Sequence, residues 1–308
     1  MFVLKKIKDK IKHMYNYGII FSCKYYFYSK KKLFFIANKL VEKKIEEIFL
    51  DKEYESDKEI FLKSKKDINL YEKKIWVFWW QGIENAPLII KLCINNMKKY
   101  IKNREIIILT KYNYSNYVKI PDYIIKKFNN GNISIQEFSD IIRIYLLYYY
   151  GGAWLDATLF IKNNLDDKIF DYEFYTIKRE KKDDMFISNY RWTSFFLVAK
   201  PRSLLFKYLL SMKYYYWKKY NIVIDYLLTD HFINYLYNNY DQIKILIDKV
   251  PINNTHVNDL LEVINDEYKK DEIDILRKNT FIYKLTWKGF INYKKENSVY
   301  KCFIEKDM

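Results

Sequence analysis

Two adjacent glycines constrain this chain more than any other feature. Gly151 and Gly152 stand between a strongly periodic helix and a short apolar run, in a sequence with only six glycines. Ahead of them Phe138, Ile141, Ile142, Tyr145, Leu146 and Tyr149 recur at helical spacing and form one apolar face. Ser134 and Glu137 have capping-box spacing at the helix start. The glycines end the helix and turn the chain tightly, because both tolerate positive φ. Ala153-Trp154-Leu155 then reads as a strand that closes on Asp156.

The same texture extends on both sides. Lys74 to Trp80 is a dense apolar and aromatic run of strand length, ended by Gln81-Gly82. Pro87 suits a first helical position, with Leu88, Ile89, Leu92 and Met97 following. Glu105 to Leu109 is a second strand, Asp122 to Phe128 a short helix, and Thr158 to Ile161 the start of a further strand. Beyond about residue 165 strand-like runs (Glu173 to Ile177, Phe195 to Val198) mix with helical ones (Ser203 to Trp217, Tyr226 to Tyr237). Alternating strand and helix predicts an α/β fold with an open, mostly parallel sheet and flanking helices. Ligands of such sheets bind at the carboxyl ends of strands, where Trp79, Trp80 and Asp156 fall.

Composition excludes several classes. Half the residues are apolar, enough for a sizeable core and too many for a disordered chain. Three scattered cysteines, Cys23, Cys93 and Cys302, exclude a disulfide scaffold and CxxC zinc sites. No run is long and apolar enough for a transmembrane helix, and the N-terminus does not read as a secretion signal. P-loop, dinucleotide-fingerprint, zincin and hydrolase-elbow spacings are missing.

Lys+Arg 54 against Asp+Glu 38 gives a net charge of +16. Six arginines supply little of it, and phosphate or base readers favour Arg forks, so no nucleic-acid partner is expected. Residues 1–50 hold 12 Lys against four acidic residues, a net of +8, interleaved with Phe21, Tyr25, Phe27, Phe34 and Phe35. This basic, aromatic, helical arm suits an anionic membrane surface, each Lys adding about 1 kcal/mol. A packed arm with solvated lysines fits the sequence equally. Residues 1–73 are thus read as arm and linker, the charged stretch 51–73 being the linker, and 74–308 as the globular domain.

Asp140 and Arg143 lie about 60° apart around the helix at roughly 100° per residue, among Ile144 and Leu147. A charged pair among aliphatics either satisfies itself as an i,i+3 ion pair or meets something polar. Asp156 follows Asp140 by 16 residues across the tight turn. Such a strand-end carboxylate beside an Asp/Arg pair suits a sugar diphosphate, directly or through a divalent cation.

These residues carry a resemblance. Phe138-Ser139-Asp140-Ile141-Ile142-Arg143 followed by Tyr150-Gly151-Gly152-Ala153-Trp154-Leu155-Asp156-Ala157-Thr158 resembles the SDxxR…YGGxWxD segment of DXD-type sugar transferases. It is most similar to bacterial capsular polysaccharide synthesis proteins, related to the mannosyltransferases of glycosyltransferase family 32. Trp76 to Gly82 with Pro87 resembles that family's opening strand. The likeness is good from about residue 74 to 161 and vaguer to about 240.

The resemblance implies a GT-A fold, with a donor half over about 74–165 and an acceptor half over about 166–308. It implies a retaining, hexosyltransferase-type enzyme that moves sugar from a nucleotide-sugar donor to a capsular or other cell-surface glycan, free or lipid-linked. That work belongs on the cytoplasmic, inner face of the cell membrane. Trp79 would stack on the nucleobase. Asp140 and Arg143 would hold donor hydroxyls and phosphate, and Asp156 would be the first carboxylate of the DXD. Thr158 replaces the second, which leaves Mn²⁺ or Mg²⁺ with Asp156 as its one carboxylate ligand. Lys or Arg side chains are the other source of positive charge for the leaving diphosphate.

Among other candidates, His231 and Trp192 are read either as acceptor or diphosphate contacts or as core residues, and His13 and His256 as surface residues. The alternative function is a non-catalytic membrane-surface protein with a degenerate nucleotide-sugar site.

Overall fold

A computed structural model describes residues 2–51, 53–56, 73–183, 185–289 and 291–305. Most of the expected charged linker lies outside the described residues. Its first part is a 3-10 turn at Glu53–Ser56, in which Tyr54 is fully buried.

The predicted alternation is present. Strand β1 (Ile75–Phe78) leads to helix α4 (Leu88–Tyr100), then β2 (Ile106–Leu109), α5 (Asp122–Asn129), α6 (Ile135–Tyr149) and β3 (Gly152–Leu155). Helices α1 (Phe2–Tyr17), α2 (Ile19–Lys30) and α3 (Phe34–Ile48) precede them. After β3 come β4 (Leu159–Ile161), β5 (Phe174–Thr176), β6 (Phe196–Ala199), α7 (Leu204–Lys219), α8 (Leu228–Asn239) and α9 (Asp241–Asp248). Helices α10 (Asp259–Glu262) and α11 (Lys270–Asn279), strand β7 (Ile282–Lys284) and a π-helical turn at Tyr300–Glu305 complete the order.

The main sheet runs β2-β1-β3-β6-β5. Strands β1, β2 and β3 pair in parallel, with Ile75 opposite both Ile106 and Ala153. Strand β6 is antiparallel to β3 and β5 antiparallel to β6, so β5 again points along β1. Four of five strands therefore share one direction, a mostly parallel mixed sheet. Strands β1, β3, β5 and β6 are buried on both faces, which is why β1 reads as an unbroken apolar run instead of an alternating one, while the edge strand β2 alternates.

Packing proceeds in layers. Helix α6 covers β1, β3 and β6, α7 lies on α6, α8 on α7, and α3 on α8. Helix α3 contributes Val41, Ile45 and Ile48 to the same core as the sheet. The N-terminal arm is thus partly core. His13, expected on the surface, is buried: one ring nitrogen meets Ser22 Oγ at 2.8 Å and the other the Ile224 carbonyl at 3.0 Å. His256 is partly exposed, as expected, and pairs with Asp259 at 2.6 Å.

The glycine turn is as tight as the sequence demands. Gly151 and Gly152 have φ of +66° and +82°. A Cβ on Gly152 would stand 2.3 Å from the Lys74 carbonyl oxygen, and one on Gly151 2.7 Å from that of Ala199. Only glycine lets β3 dock between β1 and β6 here.

The capping box forms by half. Ser134 Oγ accepts from the Glu137 backbone N–H at 3.1 Å. The Glu137 carboxylate turns inward instead, to Lys213 Nζ at 2.7 and 2.9 Å and to Trp217 Nε1 at 2.9 Å. A buried lysine on α7 outcompetes the cap backbone because its charge has no water to fall back on.

Candidate active site

The three residues singled out by spacing meet at the carboxyl ends of the parallel strands. Asp156 follows the last residue of β3. Arg143 reaches it from the middle of α6, at 3.3 Å from Oδ1, and lies 3.3 Å from Asp140 Oδ1 one helical turn earlier. The self-satisfied pair and the shared site are therefore both realised: one guanidinium bridges two carboxylates.

Arg143 is almost buried, its side chain 7% exposed. It also donates to the Ser194 carbonyl at 2.6 Å and lies with its guanidinium carbon 4.8 Å from the Trp154 ring centroid. Its Nε is buried without a partner among the described residues. Asp140 accepts from Thr229 Oγ1 at 2.8 Å, so α8 holds it in place.

Asp156 is the most engaged group of the site. Its Oδ1 accepts from Trp154 Nε1 at 3.0 Å as well as from Arg143. Its Oδ2 accepts from Lys284 Nζ at 2.9 Å, and the same ammonium donates to Thr158 Oγ1. Burial pushes the Asp156 carboxyl pKa up, but Lys284, Arg143 and the Trp154 indole together hold it below its ordinary value.

Lys284 is the residue that spacing missed. The two-stranded antiparallel sheet of β4 and β7 places it opposite Leu159, next to Thr158 in the chain. A lysine inside the strand-like run Phe281 to Thr286 was the available signal, since it must send its charge somewhere.

Trp79, just past β1, is half-buried. It meets Trp287, also from the C-terminal segment, edge to face at 5.5 Å between centroids. Its Nε1 is buried with no partner among the described residues. Tyr226 is exposed, with Asp140 and Asp156 nearby.

Trp192 and His231 stand back from this cluster. Both are 1% exposed. Trp192 Nε1 donates to Asp230 at 2.8 Å. His231 Nε2 lies 3.6 Å from Asp225. Trp192 packs within the core and reaches the neighbourhood of Asp140 and Arg143 through Asp230.

The donor set fits a hard divalent cation poorly as arranged. Both Asp156 oxygens already accept from cations or an indole, and the Thr158 hydroxyl accepts from the same ammonium. Among the described residues no three His, Cys, Asp or Glu side chains cluster to hold a metal.

Comparison with known proteins bears on the chain as a whole. A stretch of 106 residues, 31% of this chain, is 28% identical to the O-glycosyltransferase braB of Annulohypoxylon truncatum. It covers 25% of that protein, so the chain spans about a quarter of the length of the relative it matches. The family model for capsular polysaccharide synthesis proteins matches residues 24–303. That match takes in α3 and the C-terminal strand with Lys284, well beyond the segment 74–240 in which the motifs were legible. The chain belongs to the capsular polysaccharide synthesis protein family.

Proposed function

We propose that this protein is a glycosyltransferase of GT-A architecture that moves a sugar from a nucleotide-sugar donor to a growing capsular or other cell-surface glycan. The observation that carries the reading is the convergence of Asp140, Arg143 and Asp156 at the carboxyl ends of parallel strands. Family membership and the likeness to an O-glycosyltransferase support it.

In this reading the nucleobase rests against Trp79, whose orphaned indole N–H gains an acceptor. Asp140 and Arg143 hold sugar hydroxyls and phosphate. The leaving nucleoside diphosphate gathers negative charge as the glycosidic bond breaks, and fixed cations stabilise it without reorganising. Transfer proceeds with retention at the anomeric carbon, as the resemblance implies. A panel of UDP-, GDP- and CMP-sugars tests this: one donor class should bind and turn over. Failure of every donor to bind, or Arg143→Ala turning over donor like wild type, would refute the site.

We also propose that the arm keeps the enzyme on an anionic membrane surface. No helix among the described residues is long and apolar enough to cross a membrane. Ile11, Ile19, Ile20, Phe27, Phe34 and Phe35 are exposed, and so are Lys24, Lys30, Lys31 and Lys32 between them. Exposed aliphatic, aromatic and ammonium groups close together in the sequence suit the headgroup layer. Sedimentation with anionic vesicles is expected, and should be lost when Lys30, Lys31 and Lys32 are changed to Glu. Equal sedimentation of both proteins would contradict the electrostatic part of this reading.

A further inference from the structure

We infer that Lys284 stands where a DXD transferase would hold its divalent cation, so that sugar transfer by this protein needs no added metal. The inference rests on the nucleotide-sugar reading above and names the group that meets the donor's diphosphate.

Geometry places the ammonium between the two positions of the motif. Lys284 Nζ donates to Asp156 Oδ2 at 2.9 Å and to Thr158 Oγ1. An ammonium has three N–H donors, and the third has no hydrogen-bond acceptor among the described residues. The ammonium lies 5.2 Å from the Phe195 ring centroid and the side chain keeps 24% of its surface exposed, which leaves solvent access for an incoming oxygen. A phosphate oxygen is the acceptor of matching charge.

Charge matching explains Thr158. Two carboxylates around a doubly charged ion are balanced; two around one ammonium would leave an excess negative charge facing a diphosphate. With Thr at the second position one carboxylate meets one ammonium, and the hydroxyl fixes the ammonium's direction without adding charge. Arg143, on the other oxygen of Asp156, is the second fixed cation. Strand β7 brings Lys284 to this place by pairing with β4.

In the transfer, the bond from the anomeric carbon to the diphosphate oxygen breaks and its electrons stay on that oxygen. The acceptor's hydroxyl oxygen bonds the anomeric carbon, and its proton goes to the departing diphosphate. Lys284 donates a hydrogen bond throughout and loses no proton, the role a Lewis acid fills elsewhere.

The test uses the full-length protein, with nucleotide-sugar turnover and calorimetric binding of the matching nucleoside diphosphate, each in excess EDTA and in Mn²⁺. Wild type should turn over donor and bind diphosphate equally in both. Lys284→Gln should lose about 10²-fold in turnover and bind the diphosphate at least about tenfold more weakly, while still unfolding in one cooperative transition. In the double variant Lys284→Ala/Thr158→Asp, turnover restored by Mn²⁺ alone would show that one cation has been exchanged for another. Wild-type activity that vanishes in EDTA and returns with Mn²⁺ would overturn the inference and leave the transferase reading standing, as would Lys284→Gln matching wild type. If wild type binds neither nucleotide-sugar nor nucleoside diphosphate under either condition, the transferase reading itself falls, and the role of Lys284 with it.

Discussion

Asp156→Asn is expected to lower donor turnover by about 10²-fold or more while the protein stays folded. The carboxylate orients both cations: Arg143 through Oδ1 and Lys284 through Oδ2. Asn keeps the shape and still accepts from Trp154. It has no charge, and its amide nitrogen meets one of the two cations donor to donor. The fold should survive because Arg143 retains Asp140 and the Ser194 carbonyl, and Lys284 retains Thr158 and part of its solvent exposure. Thermal melts alongside kinetics separate the two effects.

The same substitution has a pH signature. A carboxyl held below its ordinary value contributes stability above its unfolded pKa, about 3.9, and loses it as pH falls through the folded pKa. Wild type should therefore lose more stability than Asp156→Asn as the solution is acidified below about pH 4. Parallel acid limbs in the two proteins would mean that Asp156 is not paired as described.

Glu137→Ala is expected to destabilise the fold by about 3–5 kcal/mol, against a typical total of about 5–15. Lys213 is 0% exposed and Glu137 5%. Removing the carboxylate strands a buried ammonium and leaves the Trp217 indole without its acceptor. Lys213→Met should be costly for the mirror reason. The paired change Glu137→Leu with Lys213→Met should cost much less than the sum, because no charge is left unpaired in the core. Urea unfolding of the three variants checks this. Additive losses would show that the two groups do not share one interaction.

How much of this was legible follows from how far each signal travels along the chain. Strands β1, β2 and β3 declared themselves as short apolar runs, and helix α6 through its local periodicity. The turn at Gly151-Gly152 declared itself because positive φ and backbone contact leave no other residue possible. Asp140, Arg143 and Asp156 were legible together, since one helix and one tight turn set their distances.

Long-range pairing was not legible. Lys284 arrives beside Thr158 through a strand pair that closes over more than a hundred residues. No periodicity records which distant strand will bond. Trp287 reaches Trp79 by the same route. The reversal of β6 inside the sheet was hidden for a like reason: a buried strand reads as apolar whichever way it runs. The inward turn of Glu137 had a local signature for capping, and a tertiary partner on α7 overrode it.

The most direct measurement is a structure of the protein with a nucleoside diphosphate bound. The base should lie against Trp79 and the terminal phosphate within hydrogen-bond reach of Lys284 Nζ. A depression of about 340 Å³ lies at the opposite, amino ends of β1 and β2 and is lined by Lys73, Arg104 and Phe170. Nucleotide found there, with Asp156 and Lys284 keeping the partners they have in the free protein, would contradict the account.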